Sequence, residues 1–219
     1  TVMAADPPKA LPQTPIVDEL HRRWDAGPTP MAARRAEDEE AAALLGATIE
    51  HLEMPDCIYR TAEDGTPLYP TEESLWSDVH PEDVAVQYVR AYQAPRVVTQ
   101  IYAPLGVGEH VDHLIIRDLG LRLAEKATIP VFLYPEFPYT AAPDAIERAL
   151  AALPPTTKTE RISFHLTAAD IAAKIDSVRA YRSQISTFWE SATALEDRVR
   201  AALRQGEDTA PTETIYQLR

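Results

Sequence analysis

The chain has 219 residues, of which 45% are hydrophobic and 25% charged, enough for one large α/β domain. Its net charge of −13 argues against a nucleic-acid partner or an anionic membrane surface. A single cysteine, Cys57, excludes an internal disulfide and a cysteine-based zinc cluster; no apolar run nears the roughly 20 residues of a membrane span, so a soluble, cytoplasmic domain is expected.

In chain order, Thr1 to Ala5 reads as the end of a strand and Asp6 to Pro15 as a proline-rich loop. Ile16 to Trp24 has a short helical pattern, broken by Gly27-Pro28-Thr29-Pro30. A longer helix is expected over Met31 to Leu45, with Gly46 as its stop. Arg34 and Glu37 stand three apart on it, a spacing that by itself describes a solvated surface pair. Thr48 to Met54 alternates as a strand ended by Pro55, which puts Asp56 at a strand's carboxyl end or in a helix cap. Cys57 has no base near it in sequence and reads as a small buried side chain. His80-Pro81-Glu82-Asp83 suggests a metal motif, but polar residues precede it and a helical pattern, Val84 to Tyr92, follows. Ordinary helix initiation accounts for it.

The informative stretch runs from Pro95 to Tyr139. Val97 to Ala103 is β-branched and aromatic and closes at Pro104; Leu114, Ile115, Leu119, Leu121 and Leu123 recur at helical spacing; Ile129 to Tyr134 is a second apolar run. Strand, loop, helix and strand make a βαβ unit, which binds ligands at the carboxyl ends of its strands. The loop there carries Gly106 and Gly108, then His110, Asp112 and His113. Two histidines three apart at a helix start can face one crevice, and the helix N-terminus favours the neutral imidazole that a metal requires. Asp112 can accept a ring N–H and fix a tautomer. A polar helix cap with two histidines nearby is the other reading of that spacing. Beyond this unit, helices are expected over Ala142 to Leu153, Ala168 to Gln184 and Phe188 to Arg204, with strands over Arg161 to Leu166 and Thr214 to Leu218. Phe188 and Trp189 are expected in the core or a subunit interface, which leaves a homo-oligomer open.

Gly106-Val107-Gly108-Glu109-His110-Val111-Asp112-His113, followed by a helix and then Pro-Val-Phe-Leu-Tyr-Pro-Glu-Phe-Pro-Tyr139, resembles the GlcNAc-PI de-N-acetylase family, also called PIG-L or LmbE-like. Arg34-Arg35-Ala36-Glu37 resembles that family's Arg-x-x-Glu helix. The resemblance implies a Rossmann-like three-layer α/β sandwich with a largely parallel sheet, residues 1–219 forming a single domain. It implies a zinc-dependent hydrolase acting on a small-molecule amino sugar or glycoconjugate. His113 would be a metal ligand, His110 would stabilise or protonate the transition state, and Asp112 would orient His110. Arg34 and Asp56 would contact substrate, with Glu37 anchoring Arg34. Some relatives carry a tyrosine where this chain has Gly108, so any such contribution would come from elsewhere, Tyr139 being a candidate. The family's His-Pro-Asp-Asp-Glu segment, which supplies two further zinc ligands and a general base, has no match in these residues. A fragment of a longer protein is therefore expected, with a non-catalytic binding or assembly subunit as the alternative.

Overall fold

A computed structural model of the chain describes residues 1–25, 27–93, 98–126, 129–204 and 210–219. Its elements in chain order are helices α1 (Pro15–Trp24), α2 (Pro30–Leu44) and α3 (Val84–Ala91), strand β1 (Ile101–Pro104), helix α4 (Val111–Lys126), strand β2 (Val131–Tyr134), helix α5 (Ala145–Ala151), strand β3 (Thr159–His165), helices α6 (Ala168–Arg179), α7 (Arg182–Phe188) and α8 (Ala192–Ala202), and strand β4 (Thr212–Leu218). The chain gathers into two compact units, Thr1–Ser74 with Leu166–Pro211 and Leu75–His165 with Thr212–Arg219. No described helix is long and apolar enough to cross a membrane.

The first unit is helical. α1 begins where Thr14 accepts a hydrogen bond from the Val17 amide and Pro15 supplies a preset first turn. α2 stops as its sequence predicts: Gly46 takes a positive φ of 66°, and the Gly46 and Ala47 amides fold back on Ala43 and Ala42 carbonyls. The strand expected over Thr48 to Met54 does not form. That segment does pair with residues 1–5, through Leu52 N to Thr1 O (2.9 Å) and Ala5 N to Met54 O (3.1 Å), but the Ala4 amide turns back on the Val2 carbonyl. This three-residue turn kinks the backbone at Met3 and leaves one isolated bridge, Met3 to Glu53, in place of a ladder, for residues 1–5 as well. The helix expected over Ala168 to Gln184 is two, α6 and α7. α2 explains the break: the buried Glu37 carboxylate accepts from the Ser183 amide (2.8 Å) and hydroxyl (2.7 Å), satisfying the start of a new helix. α8 starts later than Phe188, because Trp189 is extended and Ser191 caps the helix by accepting from the Ala194 amide. Phe188 is exposed and Trp189 is half-buried, so neither lies in the core.

The second unit holds the sheet, in order β1-β2-β4-β3. β1 and β2 pair in parallel across α4, which is the expected βαβ unit; β4 runs antiparallel to β2 and to β3. Among the described residues one strand pair in three is parallel, so the sheet is mixed α/β and the expectation of a largely parallel one does not hold. Both strands of the βαβ unit also start later than expected. Ile101 N donates to Pro130 O, and Pro130 has no N–H with which to extend the ladder backwards. The beginning of that stretch, 95–97, lies outside the described residues, as do 205–209 of the expected loop before β4. α5 is shorter than expected because Ala142, ahead of Pro143, is held extended. α4 buries Val111, Ile115, Leu119 and Leu123 at one face. Gly120 lets it approach β1 so closely that a Cβ there would lie 2.6 Å from that of Ala103. Ala103, Leu105, Val107, Leu133 and Tyr216 build the core beneath. At the start of α3, Asp83 accepts from the Ala85 amide (2.9 Å), so the His80-Pro81-Glu82-Asp83 run is a helix start, with Pro81 in the turn before it.

Candidate active site

The loop between β1 and α4 and the loop after β2 emerge at the same edge of a parallel pair, where α/β proteins gather their ligands. The first of them is held by unusual backbone: Gly106, Gly108 and Glu109 all have positive φ, at 84°, 87° and 64°. Leu105 N still donates to Tyr134 O (2.8 Å), so the loop departs directly from the end of the strand pair. It delivers His110 to the N-terminus of α4 and His113 to that helix's first turn.

The second loop supplies Glu136, which is 6% exposed. Its carboxylate accepts from the Gly106 amide (3.0 Å), the Val107 amide (3.1 Å) and His113 Nδ1 (2.9 Å). Since a carboxylate only accepts, Nδ1 of His113 carries a proton, and in the neutral ring Nε2 keeps its lone pair. His110 has the opposite arrangement. Its Nδ1 accepts from the Asp112 backbone amide (3.3 Å), so in the neutral ring the proton sits on Nε2. Three residues apart, one histidine thus presents an electron pair and the other an N–H. The hydrogen bond seen to orient His110 comes from the Asp112 backbone; the Asp112 side chain is buried in the first turn of α4.

Two further aromatic residues complete this part of the site. Trp76, Tyr139, His113 and His110 form a closed ring of edge and tilted contacts, with centroid distances of 5.1 Å (Trp76–His110), 5.3 Å (His110–His113), 5.6 Å (His113–Tyr139) and 5.5 Å (Tyr139–Trp76). The Tyr139 ring lies where a side chain on residue 108 would be: a Cβ there would meet it at 2.9 Å.

Arg34 and Asp56 belong to the first unit and pair with each other at 2.9 Å. The Arg34 guanidinium lies 4.7 Å from the centre of the Trp24 ring. Asp56 also accepts from the Ile58 amide (3.4 Å), so it serves as a cap whatever else it does. Glu37, expected to anchor Arg34, instead binds Ser183. Cys57 is fully buried, as expected. Nearby, burial pushes the His21 imidazole below its ordinary range, while burial and the Asp56 charge raise the Tyr59 hydroxyl far above its own. Tyr59 therefore keeps its proton, and its hydroxyl shares a hydrogen bond with His21 Nε2.

Sequence reasoning gave no role to Glu136 or Trp76. Glu136 does carry a signal, as an acidic residue between two prolines directly after a predicted strand; Trp76, in a polar stretch, carries none.

A strand-end loop thus holds one histidine oriented by a buried carboxylate beside a second offering N–H, an α/β strand-end arrangement whose donors can bind a metal or hold a proton. No family model matches the chain, and no curated protein sequence does. Among solved structures, the whole chain is similar to the zinc-inhibited form of teicoplanin deacetylase Orf2, at 25% identity and a TM-score of 0.82 over 85% of that chain. It is similar in the same way to the A40926 pseudoaglycone deacetylase Dbv21, at 25% identity and a TM-score of 0.72 over 83% of that chain. A deacetylase–teicoplanin complex shares the fold, at 22% identity and a TM-score of 0.79 over 85% of that chain.

Proposed function

We propose that this chain, taken as a single PIG-L/LmbE-like domain, is a zinc-dependent hydrolase that removes an N-acetyl group from an amino sugar such as N-acetylglucosamine within a glycoconjugate. The observation that carries the reading is the split of roles between the two histidines, set by what each Nδ1 meets. The similarity to a teicoplanin deacetylase and an A40926 pseudoaglycone deacetylase supports the deacetylase reading.

The donor chemistry suits zinc: a neutral imidazole, its Nδ1–H on a buried carboxylate, leaves Nε2 as the ligand atom. Zinc, when bound, supplies Lewis-acid chemistry toward the acetyl carbonyl. His113 would hold the ion through Nε2. His110 directs its Nε2–H at the carbonyl oxygen as negative charge develops there, or passes that proton to the departing amine. The Asp112 amide keeps His110 in the tautomer this requires. Arg34, paired with Asp56 against Trp24, is assigned with Asp56 to the sugar hydroxyls.

Elemental analysis and turnover of an N-acetylglucosaminyl glycopeptide test this directly. His113→Ala should lose bound zinc. His110→Ala should keep zinc and lose about 10²–10³-fold in kcat, as for removal of an oxyanion donor. Normal turnover by His110→Ala overturns its role. A protein that binds the sugar but holds no zinc and shows no turnover is the non-catalytic binding subunit instead.

A further inference from the structure

We propose that Glu136 is a positioning residue that couples the Gly106–Val107 turn to the ligand face of His113, so that an ion at His113 and the conformation of the turn stabilise each other. The proposal rests on the reading of His113 as a zinc ligand. Its basis is the way the Glu136 charge is neutralised. Among the described residues the carboxylate forms no ion pair with a lysine or arginine; its hydrogen bonds come from the Gly106 amide, the Val107 amide and His113 Nδ1. A buried carboxylate is tolerated only when such donors replace its water, so these contacts are held jointly.

The same oxygen, Oε1, accepts from both Gly106 N and His113 Nδ1, at 3.0 and 2.9 Å. A cation on Nε2 draws electron density from the ring and makes Nδ1–H a stronger donor, which shortens and fixes the bond to Oε1. The carboxylate, pinned more firmly on that side, holds the two amides more firmly on the other. Gly106 permits the turn through its positive φ, and Val107 locks it into the core with no exposed surface. Because binding free energies are reciprocal, ordering the turn must raise affinity for the ion by the factor by which the ion orders the turn.

The experiment compares the full chain, Glu136→Gln and His113→Ala. Zinc affinity is read by competition with a chromogenic chelator, amide exchange at Gly106 and Val107 is followed with and without zinc, and the His113 tautomer is read by long-range proton–nitrogen NMR. In the unaltered chain, zinc should slow exchange at both amides by roughly 5–150-fold, the usual range of a coupling between sites. Glu136→Gln presents one acceptor oxygen instead of two, so it should lose about 10–100-fold in zinc affinity and most of the zinc-dependent protection. Its His113 should also lose the fixed Nδ1–H tautomer. Zinc affinity unchanged in Glu136→Gln, with His113→Ala losing it, overturns the coupling alone; affinity unchanged in His113→Ala overturns the ligand assignment beneath it. If Glu136→Gln does not fold, the unaltered chain still decides: exchange at Gly106 and Val107 indifferent to zinc refutes the proposal. A Glu136 that merely supports the fold would lower stability without altering what zinc does to those amides.

Discussion

Substituting Gly108 by alanine tests the geometry around the two histidines most directly, because two separable costs meet at that residue. The backbone cost comes from φ of 87°, where an L side chain is strained by roughly 1–2 kcal/mol. The packing cost comes from Tyr139, whose Cγ and Cδ1 would each lie 2.9 Å from the new Cβ. Overlap of that kind in a packed region costs roughly 1–3 kcal/mol, since the ring cannot retreat without leaving Trp76 and His113. Gly108→Ala should therefore destabilise the second unit by about 2–5 kcal/mol. Gly106→Ala is the reference: its φ of 84° is as demanding, but its Cβ would have as nearest neighbours the flexible side chains of Leu114 at 3.1 Å and Arg117 at 3.3 Å. Only the backbone cost of roughly 1–2 kcal/mol is expected there. Urea denaturation of both variants, repeated in a Tyr139→Ala background, isolates the packing cost as a coupling energy of roughly 1–3 kcal/mol. The reasoning is refuted if Gly108→Ala costs no more than Gly106→Ala and Tyr139→Ala leaves that cost unchanged, for then the ring does not fill the space beside residue 108.

Three other outcomes follow from the first unit. The His21 pKa is lowered by burial, against the opposing pull of Asp18 and Asp56, so the unfolded chain takes the proton first. The stability that neutral His21 contributes is fully present above its ordinary value of 6.5 and is lost as pH falls through its lower folded value. His21→Gln should flatten the fall in stability below pH 6.5 in denaturation series, and an unaltered slope would rule this out. Glu37→Ala removes two hydrogen bonds and leaves the Ser183 amide buried without its acceptor, so a loss of about 2–4 kcal/mol and faster amide exchange in α7 are expected. Arg34→Met leaves the half-buried Asp56 charge without its pair and should raise KM for a sugar substrate more than it lowers kcat; a pure kcat effect would remove Arg34 from substrate binding.

The parts of this fold that were legible are those whose cause is local. The β1–α4–β2 unit reads from two apolar runs and a helical repeat, and the end of α2 reads from Gly46, because neighbouring residues dictate each. What was not legible was decided by distant partners. The break between α6 and α7 depends on Glu37, 146 residues before Ser183. The failed strand at Thr48 to Met54 depends on a turn at Met3, and the place of β4 between β2 and β3 depends on pairings that no local pattern encodes.

The candidate site divides in the same way, and His110 and His113 show why. Their spacing put both at the start of a helix, where either could bind a metal or hold a proton. Ring nitrogens are equivalent in a sequence and become different only through their neighbours. Nδ1 of His110 meets a backbone amide two residues away, a contact set by the helix start itself, so its tautomer was latent in the motif. Nδ1 of His113 meets a carboxylate 23 residues on, brought there because β1 and β2 run parallel and release their loops at one edge. Reversing either partner would exchange an electron pair for a proton at Nε2. The chemistry open to the pair is therefore fixed less by the two histidines than by the parallel pairing that carries Glu136 to one of them.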